Sequence, residues 1–335
     1  AVDSFTVSDA DTDDVNACIR GGADAALFTC TVSGDDITLA FASAPDYDSA
    51  SDANSDNDYI VTVAISDGTN TGSTLSYTVS VTDLNDQTPT YSSSDTTPSI
   101  SEGTTAVETL TVTDTDSADV NACTLGGTDF ASFTCTVSGD SVALAFSSGT
   151  VPDFENPGSA DSDNDYSVTV TISDGTNTGA TIAYTVTVVD ANDQTPSYSA
   201  GGLTPSLAEG TTAVDSFTVT DTDTGDSNTC ALGGDDASDF TCTVSGDSIS
   251  IAFSSAPDYD SPGDTGTNNV YDFTAAISDG TNTGSTLTYQ VTVTDLNDQT
   301  PTYSALTTTP SVTEGNTVVE TLTVTDTDSA DVNAC

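Results

Sequence analysis

The chain has 335 residues, of which 53 are Asp or Glu and one, Arg20, is basic, giving a formal charge of −52. Such a charge excludes nucleic acid, whose phosphates need Lys or Arg, and an anionic membrane surface, which needs a basic patch. With no His, the usual nucleophile–His constellations are excluded as well, and nothing in the sequence suggests catalysis.

Hydrophobic content is 35%, and low hydrophobicity with high net charge ordinarily reads as disorder. Periodic patterning argues the other way. No stretch approaches the roughly 20 apolar residues of a membrane span, and no signal peptide is visible.

The first motif is Asp9-Ala10-Asp11, followed by Asn16-Ala17 and Cys18. It returns as Asp114, Asp116, Asn121 and Cys123, then as Asp221, Asp223, Asn228 and Cys230, and again as Asp326, Asp328, Asn333 and Cys335. A second cysteine follows at a spacing of twelve: Cys30, Cys135 and Cys242, with Gly-Gly between the partners at 21–22, 126–127 and 233–234. One pair per repeat predicts the disulfides Cys18–Cys30, Cys123–Cys135 and Cys230–Cys242, across a hairpin or adjacent strands. The competing reading is two buried thiols; zinc is disfavoured because two thiolates do not make a site. Disulfides would imply an oxidising, extracytoplasmic setting.

Next comes Pro-Asp-aromatic-acid: Asp46/Asp48, Asp153/Glu155 and Asp258/Asp260. The cluster Asp52, Asn54, Asp56 and Asp58 has EF-hand-like spacing, but Val63 stands where the bidentate Glu belongs, so a solvated acidic loop is expected. Strand signals follow. Tyr166, Val168, Val170 and Ile172 alternate with polar residues, as do Ile182, Tyr184, Val186 and Val188. Between such runs Asp67-Gly68, Asp174-Gly175 and Asp279-Gly280 predict hairpin turns. Each period closes on Asp-x-Asn-Asp-Gln-Thr-Pro: Asp83, Asn85, Asp86; Asp190, Asn192, Asp193; Asp295, Asn297, Asp298. A Glu-Gly opens the following stretch at Glu102, Glu209 and Glu314.

The closing motif recurs after 107 and then 105 residues, from 83 to 190 to 295. That is the length of a whole sandwich domain, and no helical period persists. The expected fold is all-β, a tandem array of seven-stranded Greek-key β-sandwiches. Its repeats span 1–86 (N-terminally truncated), 87–193, 194–298 and 299–335 (the start of a fourth). Residues 1–18 match 318–335, which predicts a segment of a longer array.

Carboxylates crowded in fixed, recurring clusters repel unless a cation sits among them. Six to eight hard oxygen ligands describe calcium; magnesium keeps more water. Taken together, these motifs resemble the cadherin superfamily. The matching residues are Asp9-Ala10-Asp11 with Asn16-Ala17, Asp153-Phe154-Glu155, Ile172-Ser173-Asp174-Gly175 and Asp190 to Pro196. The repeats are similar in particular to bacterial cadherin-like repeats.

The resemblance implies Ca2+ at each junction between repeats. The first would use Asp46, Asp48, Asp83, Asn85, Asp86, Asp114, Asp116, Asn121 and Asp174. The second would use Glu102, Asp153, Glu155, Asp190, Asn192, Asp193, Asp221, Asp223, Asn228 (through its carbonyl) and Asp279. The third would use Glu209, Asp258, Asp260, Asp295, Asn297, Asp298, Asp326, Asp328 and Asn333. Some positions depart from the family pattern. Gln87, Gln194 and Gln299 replace the usual Asn, Asp48 and Asp260 replace a Glu, and the cysteine pair is additional. With no Trp in the chain, strand-swap adhesion of the vertebrate kind is not supported.

The function this implies is a calcium-rigidified extracellular repeat protein that self-associates into a rod or filament. Two other readings are the stalk or adhesive repeats of a cell-surface adhesin, and a noncatalytic carbohydrate-binding or scaffold module of a secreted enzyme. The latter requires an exposed aromatic platform, whereas most of the Tyr and Phe residues alternate into the expected cores.

Overall fold

Alternating β-branched residues give each strand one apolar face, and two such faces pack into a sandwich core. The computed structural model describes residues 1–10, 15–116, 121–304 and 308–328. It divides into two units, Ala1–Val189 and Asp190–Cys335.

The first unit holds two sandwiches. Strands β1 (Asp3–Thr6), β2 (Ala17–Gly21), β3 (Phe28–Ser33), β4 (Asp36–Phe41), β5 (Asp58–Ser66) and β6 (Leu75–Ser80) form sheets ordered β1-β4-β3 and β2-β5-β6. Eight further segments build the second sandwich: β7 (Thr90–Ser92), β8 (Ser99–Ser101), β9 (Ala106–Thr113), β10 (Ala122–Gly126), β11 (Phe133–Ser138), β12 (Ser141–Phe146), β13 (Asp165–Ser173) and β14 (Ile182–Val189). Their sheets run β10-β13-β14-β8 and β11-β12-β9-β7. The expected seven strands are present, the first one divided. Its early part, β7, pairs antiparallel with β9, and its later part, β8, pairs parallel with β14 in the opposite sheet. By switching sheets one segment covers an edge of each layer, where unpaired N–H and C=O groups would otherwise invite association.

The second unit repeats the plan. Strands β15 (Ser197–Tyr198), β16 (Ser206–Ala208), β17 (Ala213–Thr220), β18 (Thr229–Gly233), β19 (Phe240–Ser245), β20 (Ser248–Phe253), β21 (Val270–Ser278) and β22 (Leu287–Thr294) form sheets β15-β17-β20-β19 and β16-β22-β21-β18. A short pair, β23 (Thr302–Ser304) and β24 (Thr323–Thr325), follows. Among the described residues no helix is long and apolar enough to cross a membrane.

Each sandwich has its own core. Leu110, Val142, Leu144, Val168, Val170, Ile172 and Val186 fill the second, and Ile249, Ile251, Phe273, Ile277 and Val291 the third. The three cores share an aromatic trio. Tyr166 meets Phe133 and Phe146 edge-on, as Tyr59 meets Phe28 and Phe41, and Tyr271 meets Phe240 and Phe253. These rings are all at least partly buried, and most are fully so, which deprives these aromatics of the platform a sugar-binding face would need.

All three cysteine pairs are disulfides, but not across a hairpin or between paired strands. Cys123 lies on β10 and Cys135 on β11, in opposite sheets. The bond therefore staples the two layers of each sandwich together. The twelve-residue spacing encloses a one-turn helix and the Gly-Gly corner by which the chain crosses over. Gly127 sits at φ 95°, and a Cβ there would come within 2.7 Å of the Ser167 carbonyl oxygen.

Candidate metal centre

Strand ends and turns deliver the acidic motifs to the ends of the sandwiches. In the first unit Asp48, Asp83 and Asp116 each place a carboxylate oxygen within 4.8 Å of the other two, and so do Asp114, Asp116 and Asp174. Asp116 belongs to both groups and is 6% exposed. Its Oδ2 accepts from the Gln87 backbone N–H at 2.9 Å, while its Oδ1 is buried without a protein partner.

Asp174 is 4% exposed. Its Oδ1 caps the β13–β14 turn, accepting from the N–H groups of Thr176 and Asn177 at 2.7 and 2.6 Å, and its Oδ2 has no partner. The predicted turn aspartate thus caps its turn with one oxygen and leaves the other unpartnered. Asp114 Oδ2 and Asn121 Oδ1 are likewise buried and unpartnered.

Asn85 is held at this site by its side chain, donating to the Asp174 carbonyl oxygen at 3.5 Å and accepting from Asn177 Nδ2 at 3.1 Å. Asp46 and Asp86 are exposed and engage local donors, Ser49 N–H at 3.2 Å and Gln87 Nε2 at 2.7 Å. The glutamine that departs from the family pattern is therefore tied at both ends. Its backbone bonds Asp116 and its side chain bonds Asp86.

The electrostatics carry the mark of crowded like charges. Loss of water, then the charges of Asp83, Asp46 and Asp86, push Asp48 above the ordinary carboxylate range. Burial also raises Asp116. The Gln87 bond opposes that rise, and Asp114, Asp48 and Asp83 add to it. At Asp174 burial acts upward too, but the bonds from Asn177, Thr176 and Asn85 outweigh it and hold the group low.

Still within the first unit, Glu102, Asp153 and Glu155 converge within 4.8 Å. Glu102 is buried, and its Oε2 accepts from the Phe154 N–H at 2.7 Å. Asp153 Oδ1 accepts from Asn156 N–H at 2.9 Å.

In the second unit Asp221 and Asp279 converge with Asp226, a residue the sequence motifs did not single out. Its only sequence signal was position, inside the Asp-x-Asp…Asn loop. Asp221 Oδ2, Asp223 Oδ1, Asp226 Oδ2, Asn228 Oδ1 and Asp279 Oδ2 are all buried and unpartnered. Asp223 Oδ2 accepts from Gln194 N–H at 2.9 Å, and Gln194 Nε2 bonds Asp193 at 2.7 Å. Asp190 Oδ2 accepts from the Thr224 N–H and hydroxyl. Asn192 reaches the Asp279 carbonyl at 3.4 Å.

The third set follows the same plan. Asp328 Oδ2 accepts from Gln299 N–H at 3.0 Å. Asp328 Oδ1, Asp326 Oδ2 and Asp260 Oδ2 are buried and unpartnered. Burial pushes Asp260 up; a Thr327 bond opposes it, and the charges of Asp328, Asp295 and Glu209 add to it. Glu209 is spanned by two segments, accepting from Tyr259 N–H and from Leu296 N–H at 2.7 Å each. Asp258 bonds Ser261 N–H, Asp298 bonds Gln299 Nε2, and Asn297 is exposed. Asn333 lies outside the described residues, as do Asp11 and Cys335.

In the 52–58 loop Asn54 and Asp56 are exposed, as a solvated loop would have them, but Asp52 is not. Asp52 is buried, and its carboxylate accepts from Asp56 and Asn57 N–H at 3.0 and 3.2 Å. A short side chain bonding its own backbone a few residues on produces that burial.

No protein-family model and no curated protein matches the sequence. Solved structures do match. The protocadherin gammaB4 extracellular domain aligns with a TM-score of 0.56 at 19% identity, over 98% of this chain and 52% of that one. Protocadherin gamma B2 extracellular cadherin domains 1–5 align with a TM-score of 0.54 at 17% identity, over 98% of this chain and 63% of that one. The fold is cadherin-like. The chain spans about half to under two thirds of the length of these cadherin-fold structures.

Proposed function

We propose that this chain is a calcium-rigidified repeat segment of an extracellular protein, assembling into a rod or filament. The observation that carries the reading is Asp116. It is buried and shared by two carboxylate groups, and it presents an oxygen without a protein partner. Buried polar atoms are normally bonded, so oxygens facing one another across a cluster call for a cation. The donor set is all oxygen, carboxylate with amide, which suits a hard ion with six to eight ligands.

The first junction gathers Asp48 from one sandwich, Asp83 from the linker, and Asp114, Asp116 and Asp174 from the next. An ion held by all three fixes their relative orientation, and its removal leaves like charges to repel. Because the folded junction alone binds, calcium also stabilises the fold by mass action. The disulfides support an oxidising, extracellular location, and the extracellular cadherin folds it resembles point the same way. Electron microscopy of the native array with calcium and with chelator tests the proposal. Straight rods in calcium that become flexible in chelator are expected; rods equally straight in both refute it.

A further inference from the structure

A second layer of polar groups lies behind the metal-facing carboxylates. Asn57, Asn164 and Asn269 adopt φ of 65°, 66° and 62°. Glycine takes this left-handed conformation without penalty and most other residues avoid it. Asparagine, which tolerates it better than most other residues, occupies it in all three sandwiches, and the hydrogen bonds show what its amide does there.

Each Nδ2 donates to the carbonyl of the aromatic residue inside Pro-Asp-aromatic-acid: Tyr47, Phe154 and Tyr259, all at 2.9 Å. Each backbone carbonyl accepts from the strand that leads to the linker, from the N–H of Val81, Val188 and Val293 at 3.0, 2.9 and 2.9 Å. Those valines stand two residues before Asp83, Asp190 and Asp295. One residue thus ties an acid pair to the approach of its linker.

The asparagine is itself fixed from below. Asp52 accepts from the Asn57 N–H, and Asp264 from the Asn269 N–H at 2.9 Å. The loop is anchored further by Asp24, which accepts from Ala53 and Ile60 N–H at 2.8 and 2.7 Å. Asp236 does the same for Thr265 and Asp272, at 2.7 Å each. In the second unit the aromatic residue is held on both sides, since Glu209 accepts from the Tyr259 N–H while Asn269 Nδ2 donates to the Tyr259 carbonyl.

We propose that Asn57 and Asn269 are positioning residues for the metal centres. Each fixes the separation between an acid pair (Asp46/Asp48, Asp258/Asp260) and its linker aspartate (Asp83, Asp295) before the ion arrives. This rests on the calcium reading above. Groups that orient metal ligands from behind typically change affinity about 10- to 100-fold when removed.

The test uses the full chain, titrated calorimetrically with calcium, and melted in chelator. Asn57→Gly keeps the backbone conformation and removes the amide. Asn57→Asp keeps the shape and replaces the donor by an acceptor. Asn54→Gly is the control, because Asn54 is exposed on the same loop and its side chain donates to Asp56. Both Asn57 variants are expected to weaken one class of calcium sites about tenfold, with the other sites and the melting curve in chelator little changed, and Asn54→Gly to match the parent. Calcium binding by the parent with unchanged affinity in both Asn57 variants overturns the positioning role alone. Equal weakening by Asn54→Gly, or loss of the fold in chelator by both Asn57 variants, assigns Asn57 to general stability and overturns it too. A parent chain that takes up no calcium overturns the calcium reading and this inference together.

Discussion

Replacing Asp116 by Asn separates a metal ligand from an ordinary buried polar residue. The substitution keeps size and shape, and its Oδ1 can still accept the Gln87 N–H that Asp116 Oδ2 accepts at 2.9 Å. What it removes is one negative charge from each of two groups, Asp48/Asp83/Asp116 and Asp114/Asp116/Asp174. Calcium affinity in oxygen cages is set by ligand charge and rigidity over several decades, so weakening of about 100-fold is expected at this junction. With free calcium at about 100 times the parent dissociation constant, binding stabilises the fold by about 2.7 kcal/mol. After a 100-fold loss the same concentration gives RT ln 2, about 0.4 kcal/mol. The difference, roughly 2.3 kcal/mol, lowers the calcium-loaded melting temperature by about 10 °C for a domain of this size. In chelator the sign reverses. Asp116 is raised above the ordinary carboxylate range by burial and by Asp114, Asp48 and Asp83, so its charge opposes folding when no ion is present. The Asp116→Asn variant should therefore melt at or above the parent in chelator and below it in calcium. Scanning calorimetry with and without calcium reads both. A variant that loses stability in chelator while keeping the parent's gain from calcium would falsify the assignment.

Asp226→Asn tests a candidate ligand outside the sequence motifs; it should weaken calcium binding about tenfold without lowering stability in chelator, as read by the same titration and melts. Removing one disulfide, by Cys123→Ser with Cys135→Ser, should cost about 3 kcal/mol on the chain-entropy estimate for a loop of this length. Because Cys123 is the second residue of β10 and lies two residues after Asn121, calcium affinity at the first junction should fall as well; unchanged affinity in the titration would free the disulfide from any role in metal binding. Protons should compete with calcium. Asp48, Asp116, Asp260 and Asp328 are all raised, so in chelator they hold protons at a pH where unfolded aspartates have lost theirs. Their charge penalty is present above the raised values and is relieved as pH falls through them. Calcium affinity should therefore begin to drop at a pH above the ordinary aspartate value of about 3.9 and fall further as that value is approached, with proton release on binding, measurable by titration in buffers of different ionisation heat.

The repeat and the strand alternation were legible because each rests on a local rule. Val168, Val170 and Ile172 face inward because side chains alternate across a strand, and no distant contact is needed to know it. Asp114, Asp116 and Asp174 could be named because their motifs recur in fixed order. What the sequence did not reveal depends on which oxygen points where. Asp174 and Asp46 both belong to acidic motifs, yet one is buried with an unpartnered oxygen and the other is exposed and bonded to Ser49. That difference arises from the paired strands on either side of the Asp174 turn. Asp226 escaped because a single Asp between two known motifs has no pattern of its own. The cysteine pairs were placed across a hairpin or adjacent strands because spacing alone does not say that Gly126-Gly127 carries the chain from one sheet to the other. In the 52–58 loop, expected to be solvated, Asn54 and Asp56 are exposed but Asp52 is buried, for a related reason. Its aspartates look solvated in composition, but Asp52 and Asp24 turn inward to satisfy the backbone donors of an otherwise unpaired loop. A carboxylate that bonds N–H groups with both oxygens, as Asp52 does, stabilises the fold without a metal. One that leaves a buried oxygen facing other carboxylates, as Asp116 does, is repelled by them unless a cation sits among them. The two kinds alternate along the same acidic sequence, and only their hydrogen bonds tell them apart.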